Sequence, residues 1–186
     1  MVEGPRAGVK ARESRAPGHL LDTCVWIDYF RDRDSAMGDM AAEIIDVDDP
    51  AQPRLTHSLC LAELRKSYGA WTIEFGKDLA FLRERSLIVE EVPEEIALRA
   101  GAIKHCMDPL LKARRKTNNG LSYVDCVLLA TAIVGPDRLV TREAGIGILS
   151  QPEANGLEID QVVRELGLAP GKKPADVVLF LEAIAR

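Results

Sequence analysis

Four short segments of this chain share one pattern, in which a brief apolar run leads to an acid. Leu20-Leu21 runs straight into Asp22-Thr23. Leu55-Thr56-His57 leads through Ser58 to Glu63, and Leu139-Val140 leads to Thr141-Arg142-Glu143. Ser122-Tyr123-Val124 brings Asp125 to the head of the most apolar stretch, Tyr123 to Val134. The apolar runs are strand-sized, and segments of helical periodicity separate them. Strands that alternate with helices in this way imply an α/β domain with a parallel sheet and helices on both faces.

Taken in order, strand one at Leu20-Leu21 is followed by a helix with Val25, Trp26, Ile27 and Phe30 on its apolar face. Strand two covers Leu55 to His57, and Ser58 is expected to cap a helix reaching about Tyr68. A helix over Ile73 to Arg85 precedes strand three at Leu87-Ile88-Val89. Pro93 with Glu94 and Glu95 marks a strong helix start, and Ile96, Ala100 and Ile103 continue its buried face. Strand four is expected at Arg138 to Val140 and strand five at Leu157 to Ile159. Asp160 then caps a short helix. A last helix, introduced by Lys172-Lys173-Pro174, carries Val177, Val178, Leu181 and Ile184 on one face.

At 186 residues the chain fits one domain with modest extensions. The expected division is a flexible leader over 1–18, one folded domain over 19–166 and a helical extension over 167–186. A net charge of -5 supplies no overall basic field, so any nucleic acid has to be held by a local patch or a metal. The four cysteines form no CxxC pair and no zinc-ligand spacing. Cys24, Cys60 and Cys126 sit in apolar stretches and are read as small buried hydrophobes. Reduced thiols and the lack of an apolar run of membrane-spanning length imply a cytoplasmic protein with no membrane partner.

In a βαβ unit the chain leaves the carboxyl end of a strand and enters a helix at that same edge, where ligands of open α/β sheets bind. Asp22, Glu63, Asp125 and Glu143 are all expected there. Each has an ordinary structural use as well. Asp22 suits a helix cap, Glu63 an exposed helix position, Asp125 a Ser122-x-x-Asp capping box, and Glu143 the positive end of a short helix. Together, however, clustered carboxylates repel unless a cation sits between them. A hard ion such as Mg²⁺ or Mn²⁺ suits an all-oxygen set, and it can activate water and neutralise charge on a phosphodiester.

At these residues the chain resembles the PIN-domain ribonucleases, in particular the VapC-type toxins of toxin–antitoxin pairs. Leu20-Leu21-Asp22-Thr23 with Ile27-Asp28 is similar to the family's opening motif, and Ser58 through Ala62-Glu63-Leu64 to its second. Tyr123-Val124-Asp125 with Leu129-Ala130-Thr131-Ala132 is similar to the third, and Leu139-Val140-Thr141-Arg142-Glu143 to the fourth. The resemblance spans about residues 19 to 160. It implies a three-layer α/β/α fold with a central parallel sheet of about five strands. It also implies Mg²⁺- or Mn²⁺-dependent cleavage of RNA, a homodimer and inhibition by a small antitoxin protein. Asp22, Glu63, Asp125 and Glu143 become the catalytic acids. Asp22, Asp125 and Glu143 become the metal ligands, with Thr23, Ser122 and Thr141 as supporting polar groups. The sequence departs from the family pattern in Cys24, where Asn is common, in Glu143 for a usual Asp, and in Ile146 for an aromatic.

Other site types fit less well. A receiver domain needs an adjacent acidic pair after strand one and a lysine near the end of strand five, and Gly145-Ile146-Gly147 lacks the third glycine of a dinucleotide fingerprint. A non-catalytic PIN scaffold, or a PIN nuclease of RNA processing without an antitoxin, remains the alternative. Two surfaces carry binding expectations. The basic run Lys112, Arg114, Arg115 and Lys116 is either a contact for RNA phosphates or a solvated loop face, and Trp71, Ile73 and Phe75 either help hold an antitoxin segment or pack in the core.

Overall fold

The computed structural model describes residues 16–47, 49, 52–69, 73–85, 87–114, 120–150, 152–153 and 156–181, apart from the side chains of residues 113, 114 and 150. The leader before residue 16, Trp71, Arg115, Lys116 and Ile184 therefore lie outside the described residues, as does the side chain of Arg114.

Five strands build one sheet: β1 (His19–Leu21), β2 (Arg54–His57), β3 (Ile88–Glu90), β4 (Arg138–Thr141) and β5 (Val178–Phe180). Their order is β3-β2-β1-β4-β5 and every pairing is parallel. The chain thus builds outward from β1 to β3, then returns to the other side of β1 with β4. Strand order reverses between β1 and β4, where Leu20 stands opposite Leu139 and Leu21 opposite Val140.

Alternation along the strands sorts side chains into two cores. Leu20, Leu55, Leu139 and Val178 face one core, with α5 (Glu94–Arg114), α6 (Tyr123–Val134), α7 (Ala144–Ser150) and α8 (Ile159–Leu166) supplying Met107, Leu128, Leu149 and Val162. Leu21 and Val140 face the other. There α1 (Thr23–Arg31), α2 (Ala36–Ile45), α3 (Ser58–Ser67) and α4 (Ile73–Glu84) supply Trp26, Ile45, Leu64 and Leu82. Both faces of the central strands are covered, giving the three-layer α/β/α arrangement.

The C-terminal stretch differs from the sequence-based expectation. Leu157 is a buried core residue rather than part of a strand, and Ile159 opens α8. The fifth strand is Val178–Phe180, directly after the short helix α9 (Pro174–Val177), and it pairs with β4 through Thr141↔Phe180. Val177 and Val178 are both buried, one ending α9 and one opening β5. The stretch expected as a helical extension therefore supplies the sheet's edge. Gly147 belongs to this packing: a Cβ there would lie 2.6 Å from the Phe180 ring. α5 runs through Pro109 to Arg114, so Lys112 is an exposed residue of its last turn.

Among the described residues no helix is long and apolar enough to cross a membrane. All four cysteines are free thiols.

Candidate functional site

The carboxyl ends of β1 and β4 place two of the acids. Asp22 follows β1 as the N-cap of α1 and is 5% exposed. Its Oδ1 accepts the Thr23 backbone N–H at 2.6 Å, and its Oδ2 accepts the Thr141 hydroxyl at 2.6 Å and the Cys24 thiol at 3.1 Å. Thr141 Oγ1 also accepts the backbone N–H of Glu143 at 2.9 Å, so one hydroxyl ties the ends of β1 and β4 together. Asp22 is therefore a cap, as its ordinary use demands, and at the same time a fixed carboxylate at the point where strand order reverses.

Glu63 enters from α3, one and a half turns after β2. The Thr23 hydroxyl donates to Glu63 Oε2 at 2.8 Å, bringing the second acid beside the first. Ser58 does not cap this helix. His57 occupies the cap position without a side-chain bond, and Ser58 is the first helical residue, its hydroxyl donating to Glu91 at 3.4 Å.

Asp125 comes from the opposite layer, in the first turn of α6. The capping box is complete: Asp125 N–H donates to Ser122 Oγ at 3.0 Å, and Ser122 N–H donates to Asp125 Oδ2 at 2.8 Å. This local ring holds the carboxyl at the head of α6. Burial pushes its pKa up to about 6, and the negative charges of Asp22 and Glu143 add to that, while the two Ser122 hydrogen bonds oppose it. Three acids therefore share one electrostatic space. Glu143 closes the group, with its Oε1 accepting the Gly145 N–H at 3.1 Å at the head of α7.

Two features were not legible as site residues. Cys24, read as a buried hydrophobe, is only half-buried and donates to the central carboxylate. Desolvation, then the charge of Asp22, pushes its thiol far up, so it stays a neutral donor. The loop before Ser122 is held by Asp108, whose Oδ1 accepts the Leu121 N–H at 3.0 Å and whose Oδ2 takes Lys104 at 2.8 Å. Neither was legible: a thiol two residues after Asp22 has no donor signature of its own, and Asp108 reaches Leu121 from 13 residues away. Cys60 and Cys126 are buried, as expected of them.

Among the described residues, no three His, Cys, Asp and Glu side chains converge tightly enough to cage a metal ion. The donor set nevertheless suits a hard divalent ion, which keeps several waters and takes only one or two carboxylates directly. Asp22, Asp125 and Glu143 present oxygen donors, and their mutual repulsion is what such an ion relieves. Of the two expected binding surfaces, Lys112 is exposed, Ile73 is 75% exposed and Phe75 is buried at 4%, so Phe75 belongs to the core.

Searches of curated proteins and of solved structures return no significant match. The family model described as PIN domain matches residues 19–148, well over half of the chain, from the first residue of β1 through Asp22, Glu63, Asp125 and Glu143. PIN domains are typically metal-dependent nucleases, and the acids assembled at the β1/β4 edge are of the kind that chemistry uses. With the motifs, the sheet order and the site in agreement, the chain belongs to the PIN domain family.

Proposed function

We propose that this protein is a metal-dependent endoribonuclease that hydrolyses RNA phosphodiester bonds, with Asp22, Glu63, Asp125 and Glu143 as its catalytic acids. The observation that carries the reading is the Asp22 carboxylate, fixed where strand order reverses by Thr23, Thr141 and Cys24, with Glu63 tied beside it through the Thr23 hydroxyl. Mg²⁺ or Mn²⁺ held by Asp22, Asp125 and Glu143 would supply activation of water and neutralisation of the developing phosphate charge. The chain's own groups prepare this. Thr141, Cys24 and the Thr23 N–H hold Asp22 in one orientation. Thr23 restrains Glu63, and Ser122 restrains Asp125. Above about pH 6 Asp125 is ionised and able to bind a cation.

The motif resemblance supports a finer reading, in which the protein is the toxin of a toxin–antitoxin pair, homodimeric and cytoplasmic, with a small antitoxin protein as inhibitor. Ile73 on α4 is exposed and available for that partner. Finding a short open reading frame immediately upstream of the gene would support the toxin reading, and finding none would favour a PIN nuclease of RNA processing.

A second reading, a non-catalytic PIN-fold binding module, draws on the capping box that occupies Asp125 Oδ2 and on the absence of a three-donor cage among the described residues. One assay separates the two. Purified protein with labelled single-stranded RNA and Mn²⁺ should release shorter fragments, and EDTA should stop the reaction. Intact RNA at every metal concentration, with RNA or protein binding retained, would establish the binding module.

A further inference from the structure

An acidic site faces a difficulty when its substrate is a polyanion: four carboxylates repel the strand that must lie across them. A positive group fixed at the mouth offsets this, and Arg142 occupies the right place. It stands between Thr141, which holds Asp22, and Glu143. Its backbone N–H donates to Cys24 Sγ at 3.4 Å, tying this turn to α1. Its Nε lies 2.7 Å from Oδ2 of Asp28, a residue of α1 that is only 2% exposed. That oxygen has no well-aligned hydrogen bond, so the contact is chiefly Coulombic. The Arg142 side chain is nevertheless 42% exposed, and among the described residues its terminal nitrogens meet no protein acceptor. A guanidinium drawn to Asp28 on its Nε side keeps the edge with two terminal nitrogens available, and that edge matches a phosphate bidentately.

We propose that Arg142 is a phosphate-binding residue of this site, that its ligand is a backbone phosphate of single-stranded RNA, and that Asp28 is its positioning residue. The inference rests on the ribonuclease reading. The bland alternative is that Arg142 only neutralises Asp28, since a buried carboxylate without a partner is costly.

Anisotropy of a labelled single-stranded RNA, measured against salt in an Asp125→Asn background with Mg²⁺, distinguishes the two. Arg142→Gln should weaken binding about tenfold and lower the salt slope by about 0.7, the loss of one phosphate contact. Arg142→Lys should keep the slope and still bind less tightly than arginine. Asp28→Asn/Arg142→Gln removes the buried charge together with its partner. Its melting temperature should return toward that of the background chain, while RNA binding stays weak and the slope low. Recovery of RNA affinity in that double variant would overturn the inference, as would an Arg142→Gln chain that binds with unchanged affinity and slope. If the otherwise unmodified chain cuts RNA in either of those cases, this inference fails alone. A native chain that neither binds nor cuts RNA overturns the ribonuclease reading with it.

Discussion

The two halves of the site are built by different means. On the sheet side, Asp22 and Thr141 sit at the ends of strands whose Leu20, Leu21, Leu139 and Val140 are fully buried in the two cores. Packing on both faces fixes where those strand ends can be, and three donors converge on Asp22. On the helix side, Asp125 is positioned by a capping box that spans only Ser122 to Asp125, with Asp108 and Lys104 holding the preceding loop. The first half is set by tertiary structure and the second by local chemistry. One therefore expects the sheet side to carry stability and the helix side to carry adjustability, including a proton that comes and goes near neutral pH.

That contrast can be broken in several ways. The largest effect should be on activity: Asp125→Asn should lower single-turnover RNA cleavage by a factor on the order of 10² or more, as when one preorganised electrostatic group is lost. The same variant should be no less stable than wild type without metal at pH 7, because a buried charge has been removed. Thr141→Val should come next. It strips a donor from a buried carboxylate and an acceptor from the Glu143 N–H, so denaturant unfolding should show a loss of about 2 kcal/mol alongside reduced cleavage. Ser122→Ala should cost about 1 kcal/mol, the typical value of a cap, and should reduce cleavage less than Asp125→Asn does. A Ser122→Ala loss larger than that of Thr141→Val would reverse the comparison.

The smallest effect sharpens the same point through pH. Asp125 binds its proton more tightly in the folded state, with a pKa near 6 against 3.8 for the free side chain. Between those values the folded chain holds more protons than the unfolded one, so this group makes stability without metal fall as pH rises from about 4 to about 6. Metal binding requires the ionised form, so the metal response should grow over the same window. Melting curves at several pH values, with and without Mn²⁺, should show both trends, and Asp125→Asn should flatten them. A metal response independent of pH between 4 and 7 would place Asp125 outside the site.

Legibility in the sequence follows the same division. The strands at 19–21, 54–57 and 138–141 were readable because each is an apolar run closed by polar residues and an acid. Ser122 and Asp125 were readable as a capping box because their spacing is local. The edge strand was misplaced because Val178–Phe180 is three residues long and sits in a stretch where Val177, Val178 and Leu181 also satisfy a helical repeat. A run so short cannot be assigned by periodicity alone, and only its pairing with β4 decides it. Cys24 and the pair Asp28–Arg142 were opaque for another reason: 118 residues of chain separate Cys24 from Arg142, and their contact exists only because β1 and β4 are neighbours.

The site also changes the expected sign of one substitution. Relief of repulsion alone would make Asp22→Ala neutral or stabilising without metal. The observed hydrogen bonds from Thr23, Thr141 and Cys24 outweigh that, so Asp22→Ala should melt below wild type. Stability alone therefore does not separate a cap from a metal ligand, but the response to metal does. An ion that binds only the folded chain stabilises it by RT ln(1 + [L]/Kd), about 2.7 kcal/mol at a hundredfold excess over Kd. The most direct measurement is a set of thermal melts of wild type, Asp22→Asn and Asp22→Ala with increasing Mn²⁺, each paired with RNA cleavage. Wild type should rise with Mn²⁺ and cut RNA, while both variants should rise much less and lose cleavage. An Asp22→Ala chain that keeps the full Mn²⁺ response and still cuts RNA would contradict the metal centre at the β1/β4 edge.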